Sequence, residues 1–306
     1  MESINILVYG AGAVGIYFGG KLCQSGFNVV FVDTPEKAEL LNDSDMHIRS
    51  KVDKDSDFKA KVVADVGELP PQDLILVCVK AFQTYEIALN LLPVIKPSTL
   101  ILSLQNGLEN EKILSDLLGE NLVMGAVLNF NGKLIDKSTV MQFAPGKVIF
   151  GEMDHQRSER EEWLSKIFAH SDINHTVSNE ITKNIWLKFI WNNAFNAISA
   201  LTHTTVGQIL ESEAIQPSLR QMMEEAQLVA QAEGVEFSKQ NIEDLYNENH
   251  DYGDVKTPML KDIESGVVPE LEPLVGTLIQ KAKQYDISAP VNKTIYNLIR
   301  LSLSKY

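Results

Sequence analysis

The chain has 306 residues with 27 Lys and Arg against 41 Asp and Glu, a formal charge of −14. That balance argues against nucleic acid as a partner, because phosphate binding needs a basic surface, but it leaves room for an anionic small molecule in a locally positive pocket. The length exceeds what one core usually fills, so about two domains are expected, and 44% hydrophobic with 22% charged residues is an ordinary globular composition.

No apolar run approaches the ~20 residues needed to span a bilayer. A β-prone run opens at Ile4, which leaves no room for a signal peptide and sets the expectation of a cytoplasmic protein. Cys23 and Cys78 fit no metal spacing and are expected as small core residues; no metal is expected.

In chain order, Ile4 to Tyr9 reads as a strand running straight into Gly10-Ala11-Gly12-Ala13-Val14-Gly15. A strand, then G-x-G-x-x-G, then a helix (Val14 to Gln24, closed by Gly26) is the phosphate-cradling turn of a dinucleotide site. Gly10 serves the tight turn, Gly12 the approach of backbone to the pyrophosphate, and Gly15 the close packing of helix on strand. The second strand, Asn28 to Val32, ends at Asp33. An acid there accepts hydrogen bonds from a ribose 2′-hydroxyl and repels a 2′-phosphate, which favours NAD over NADP.

A short helix is expected over Lys37 to Leu41 and a small strand over Lys61 to Ala64. The apolar runs Asp73 to Val79 and Thr99 to Leu104 read as parallel strands covered on both faces. Helices at Tyr85 to Leu92 and Glu109 to Leu118 alternate with them, and Leu122 to Val127 is a further strand. Val140 to Phe143 and Lys147 to Phe150, separated by Ala-Pro-Gly, read as a closing hairpin. The alternation predicts an α/β Rossmann-type doubly wound parallel sheet over residues 1–177. The boundary is placed in the stretch Ser171 to Val177.

Strand signals then vanish, and residues 178–306 read as an all-α C-terminal domain. Helices are expected at Pro217 to Glu233, Ser238 to Asn247, Thr257 to Glu264, from Leu271 onward with one apolar face to Ala282, and at Pro290 to Leu303. Within this half, Lys188, Asn192 and Asn196 are spaced i, i+4, i+8 on one face of a helix that is otherwise apolar nearly all round, with Trp186, Phe189, Ile190, Trp191 and Phe195. The stripe either faces solvent or lines a polar ligand. Asparagine is a poor choice for a solvated helix face, which favours the ligand. Asn106, after the strand ending at Leu104, sits where such sheets hold ligands, or in a plain Asn-Gly turn. Lys80, at the end of another strand, reads as a cofactor-side cation or a solvated lysine.

Together, Gly10 to Gly15, Val79-Lys80-Ala81, Gln105-Asn106-Gly107, Trp186-Leu187-Lys188 with Asn192 and Asn196, and Glu270 resemble the ketopantoate reductase (2-dehydropantoate 2-reductase) family over nearly the whole chain. The resemblance implies reduction of 2-dehydropantoate to pantoate by hydride transfer from NADPH, within pantothenate and coenzyme A biosynthesis. It implies Lys188 as general acid; Asn192, Asn196 and Asn106 on the substrate; Asn106, Lys80 and Glu270 on the cofactor side; and a monomer or homodimer. Glu270 is expected near the lysine, offsetting its burial. The chain departs from the family at Pro258, where a serine is usual, so Thr257 is the candidate replacement. It departs again at Asp33-Thr34, where an arginine is usual, so NADH stays open beside NADPH. Two alternatives follow: an NAD-dependent dehydrogenase of another D-2-hydroxy acid, of mandelate or hydroxyisovalerate type, and a non-catalytic dinucleotide sensor.

Overall fold

The computed structural model describes residues 4–42, 44–247 and 253–304. The chain divides into two compact units: Met1–Gln105 with Glu109–Ile181, and Asn106–Leu108 with Thr182–Tyr306.

The first unit is built on a ten-stranded sheet. β1 (Asn5–Tyr9) is flanked by β2 (Asn28–Val32) and β6 (Leu74–Val77); β5 (Lys61–Val63) extends one side, and β7 (Leu100–Ser103) and β8 (Val123–Leu134) the other. All these pairings are parallel. The order β5-β2-β1-β6-β7-β8 is the 3-2-1-4-5-6 arrangement of a dinucleotide-binding sheet, with its reversal between β1 and β6. Helices α1 (Ala13–Gln24), α2 (Pro35–Leu41), α3 (Thr84–Leu91) and α4 (Asn110–Leu118) connect the strands.

The unbroken apolar runs have a simple cause. Successive side chains of a strand point to opposite faces. Ile6, Val8, Leu74, Leu76, Leu100 and Leu102 enter one buried cluster, while Leu7, Ile75, Val77 and Ile101 enter another. Both faces of the sheet are covered, so no strand position can be polar without cost.

The expected hairpin at 140–150 is instead one strand, β9 (Thr139–Gly151), antiparallel to a β8 that continues to Leu134. The partners are Asn129 with Lys147 and Asn131 with Ala144, so Pro145 and Gly146 together face Phe130. Proline has no ladder N–H and is tolerated in a sheet at such a bulge. The Ala-Pro-Gly signal marks this irregularity, not a turn. Two strands the sequence did not announce, β3 (Met46–Ser50) and β4 (Ser56–Phe58), extend the sheet beyond β9. After α5 (Glu159–His170), the stretch expected to link the halves carries β10 (His175–Val177), which pairs in parallel with β9.

The second unit is helical: α6 (Ile181–Thr202), α7 (Val206–Glu211), α8 (Gln216–Ala232), α9 (Lys239–Asn247), α10 (Pro258–Glu264), α11 (Thr277–Gln284) and α12 (Pro290–Leu303). Trp186, Phe189, Ile190, Phe195 and Ile198 of α6 share one core with Met222, Met223 and Val229 of α8 and with Leu274 and Leu278. The helix expected from Leu271 begins with a π-turn, Glu272–Gly276, before α11. No helix among the described residues is long and apolar enough to cross a membrane, and no group of three or more potential metal ligands occurs among them.

Candidate functional site

The glycine loop of the first unit is shaped by backbone demands. Gly10 has φ +105, outside the range that side chains accept easily, and its N–H donates to the Val32 carbonyl at 2.7 Å. A Cβ on Gly15 would lie 1.8 Å from the Gly10 carbonyl oxygen, so helix and loop touch backbone to backbone there. A Cβ on Gly12 would meet nothing within 4 Å. That open side, at the N-cap of α1, is where a ligand can approach the backbone. No side chain caps α1 and no acidic residue occupies its first turn, so among the described residues no carboxylate claims the N–H groups beginning with Ala13 and Val14. These residues fit a dinucleotide pyrophosphate.

Asp33 closes the other side of this loop. Its Oδ2 accepts the Ala11 N–H at 2.7 Å and stands 3.3 Å from Lys37 Nζ, and its Oδ1 accepts the Thr34 N–H at 2.8 Å. Lys80 is half-buried just past β6. Its neighbour Val79 is the side chain that a Cβ on Gly10 would strike at 2.7 Å, with the Cys78 carbonyl next at 3.0–3.1 Å, which places the Cys78 backbone and the Val79 side chain against the glycine loop. Gln105 reaches back from the end of β7, donating through Nε2 to the Val79 carbonyl at 3.1 Å and to Thr84 Oγ1 at 3.0 Å. Nothing in the sequence pointed to Thr84 as the buried hub of these strand ends.

In the second unit, Lys188 is half-buried on α6 with Nζ 5.4 Å from the ring centroid of Trp191, which itself stacks on Phe195 at 4.9 Å. Among the described residues, no carboxylate lies within ion-pair distance of Lys188, and burial pushes its ammonium down to about 8. The offset expected from Glu270 is therefore absent, and desolvation alone sets the direction. Glu270 is buried at the entry to the π-turn, its carbonyl accepting the Leu274 N–H at 3.2 Å.

Asn192 and Asn196 are 3% and 1% exposed, so the stripe is not a solvated face. Their carboxamides form a relay. Met259 N–H donates to Asn196 Oδ1 at 3.1 Å, Asn196 Nδ2 donates to Asn192 Oδ1 at 3.2 Å, and Asn192 Nδ2 donates to Asn106 Oδ1 at 3.1 Å. Asn106, Asn192 and Asn196 are thus brought together, one helical turn beyond Lys188. Thr257 caps α10, its hydroxyl accepting the Leu260 N–H at 3.3 Å, with Pro258 at the first helical position. Asn193 escaped notice because it lies off the stripe; it is fully buried and donates to the Leu274 carbonyl at 3.0 Å inside the π-turn.

The family model described as ketopantoate reductase PanE/ApbA matches residues 6–155, and that of its C-terminal part matches residues 180–302. The chain is 27% identical over 304 residues to a 2-dehydropantoate 2-reductase of Archaeoglobus fulgidus, covering 98% of each. It is similar to the crystal structure of a PanE/ApbA family ketopantoate reductase from Ralstonia eutropha JMP134, with a TM-score of 0.90, 27% identity and 99% of each chain covered. A ternary structure of D-mandelate dehydrogenase with NADH and anilino(oxo)acetate shares the fold, with a TM-score of 0.90 at 21% identity, covering 97% of this chain and 98% of that one.

Proposed function

The chain belongs to the ketopantoate reductase family of oxidoreductases, which act on CH–OH groups with NAD(P), and from that premise we propose that it reduces 2-dehydropantoate to pantoate with Lys188 as the general acid. The observation that carries this reading is the Lys188 ammonium, half-buried in an otherwise apolar helix and brought down to about 8. A general acid works best when its pKa lies near the working pH, and burial supplies that here. The reduced nicotinamide, when bound, supplies the hydride to the keto carbon. Lys188 Nζ donates its proton to the carbonyl oxygen as charge develops there, leaving a neutral amine and a hydroxyl.

The remaining roles are assigned on the family's pattern. Gly10, Ala11, Gly12, Ala13, Val14 and Gly15 hold the pyrophosphate, and Lys80 adds a cation on the cofactor side. Glu270 contributes a carboxylate to the cofactor side. Asn106, Asn192 and Asn196 orient the substrate's oxygens, and the Thr257 hydroxyl stands in for the family's serine. Asp33 at the end of β2 supports NADH over NADPH, since a carboxylate there accepts from ribose hydroxyls and repels a 2′-phosphate.

Pro258 and Asp33 favour a second reading, an NAD-dependent dehydrogenase of another D-2-hydroxy acid, of mandelate or hydroxyisovalerate type. Steady-state kinetics with 2-dehydropantoate, phenylglyoxylate and 2-ketoisovalerate, each with NADH and NADPH, test both. A preference of more than tenfold for 2-dehydropantoate in kcat/KM supports the first; a reversed order supports the second; binding of NADH with no turnover of any of the three overturns the proposed activity.

A further inference from the structure

The relay from Met259 to Asn106 has a direction, and one end sets it. A carboxamide can turn over and present either its oxygen or its amino group, but a backbone N–H can only donate. Met259 N–H therefore requires the oxygen of Asn196, at 3.1 Å. That leaves the amino group of Asn196 for Asn192, and Asn192 in turn offers its amino group to Asn106. Met259 sits at the second position of α10, where its N–H has no partner within that helix.

We infer that Asn192 and Asn196 are positioning residues that fix which end of the Asn106 carboxamide is bound inside the relay, its oxygen, and hence turn its amino group the other way. The sense of a group near the ligand is set by the start of a helix more than 150 residues further along the chain. This rests on the reading of Asn106 as a ligand-facing residue only for its catalytic consequence; the direction itself is a property of the folded protein.

The direction predicts coupling between Asn196 and Asn106, which the relay joins through Asn192. Asn196→Asp still accepts from Met259 but has no amino group to give, so Asn192 must turn over and donate to it. Asn106 then has to turn as well, to donate to the exposed Asn192 oxygen. Asn106→Asp alone is compatible with the relay, since a carboxylate accepts from Asn192 Nδ2. In the double variant, the Asn192 oxygen faces a carboxylate with no proton between them.

A double-variant cycle read by thermal melting tests this without substrate. The double variant should melt roughly 3 °C or more below the sum of the single effects. Replacing Asn196→Asp by Asn196→Ala should abolish the excess, because Asn192 is then free to face either way. Additive melting shifts for Asn196→Asp with Asn106→Asp overturn the proposal. If Asn196→Asp does not fold, side-chain amide spectra decide: Asn196→Ala must move the Asn106 Nδ2 signal, identified by its loss in Asn106→Asp, and an unmoved signal overturns the proposal. In the active enzyme, Asn196→Asp should raise KM for the keto acid at least about tenfold while the pH midpoint of kcat/KM stays put. Coupling in melting without that rise would retain the relay and remove Asn106 from the substrate site.

Discussion

The carboxylate of Asp33 accepts the Ala11 N–H at 2.7 Å, tying the end of β2 to the loop that follows β1. One side chain thus braces the glycine turn and, on the proposed reading, is the acid that a cofactor ribose would meet. Lys37, 3.3 Å away, holds the same oxygen from one helical turn on.

Asp33→Ser removes the charge-assisted bond to Ala11 and, on the proposed reading, the carboxylate that receives the ribose hydroxyls. KM for NADH should rise on the order of tenfold, since a hydrogen bond to a charged group is worth about 1.5–3 kcal/mol. The wild-type enzyme should prefer NADH to NADPH in kcat/KM by about tenfold or more, and Asp33→Ser should narrow the gap. Wild-type kinetics favouring NADPH would remove Asp33 as the discriminating group.

On the proposed mechanism Lys188 supplies the proton consumed in reduction, so kcat/KM for the keto acid should stay level below pH 8 and fall about tenfold per unit above it. Oxidation of the hydroxy acid needs the free amine and should show the opposite limb. Lys188→Ala should lower kcat by about 10²-fold or more. Retention of most of the turnover, or a rate rising through pH 8 in the reducing direction, contradicts the assignment.

The same lysine leaves a trace in stability. Burial takes its pKa from 10.5 to about 8, so between those values the unfolded chain binds more protons than the folded one. Stability attributable to Lys188 then rises with pH across that window. The melting temperature of wild type minus that of Lys188→Met should grow from pH 8 toward 10.5, whatever the other groups do. A constant difference would mean that the ammonium is fully hydrated.

Two glycines of one loop should respond in opposite ways. Gly15→Ala puts a methyl 1.8 Å from a backbone oxygen and should lower the melting temperature by roughly 5 °C or more, or prevent folding. Gly12→Ala adds a methyl to open space and should melt like wild type, yet weaken NADH binding measured by fluorescence titration. Equal NADH affinity in Gly12→Ala would place the cofactor elsewhere.

Where sequence reading succeeded, each segment carried its own reason. The runs 74–77 and 100–102 are apolar at every position because both faces are covered, and helix 290–303 announces itself by a proline at its first position and a regular apolar face. The stripe of Lys188, Asn192 and Asn196 was visible because helical spacing is local. Its meaning was not, because Asn106 and Met259 lie 86 and 63 residues away and Met259 contributes only backbone. The bulge opposite Phe130 was misread because Ala-Pro-Gly signals a turn unless a partner strand absorbs it. The π-turn at Glu272–Gly276 has the same apolar spacing as the helix it interrupts, so periodicity passed over it.

The strict alternation of β6 between two buried layers leaves it intolerant of length change. One residue inserted between Leu74 and Val77 would send Leu76 among the partners of Ile75 and exchange every contact beyond that point. The strand at 139–151 already holds an extra residue opposite Phe130. Tolerance to insertion scanning should therefore be lowest at the sheet's centre and reappear at Pro145–Gly146, so that the molecule's evolvable length lies in its outer strands.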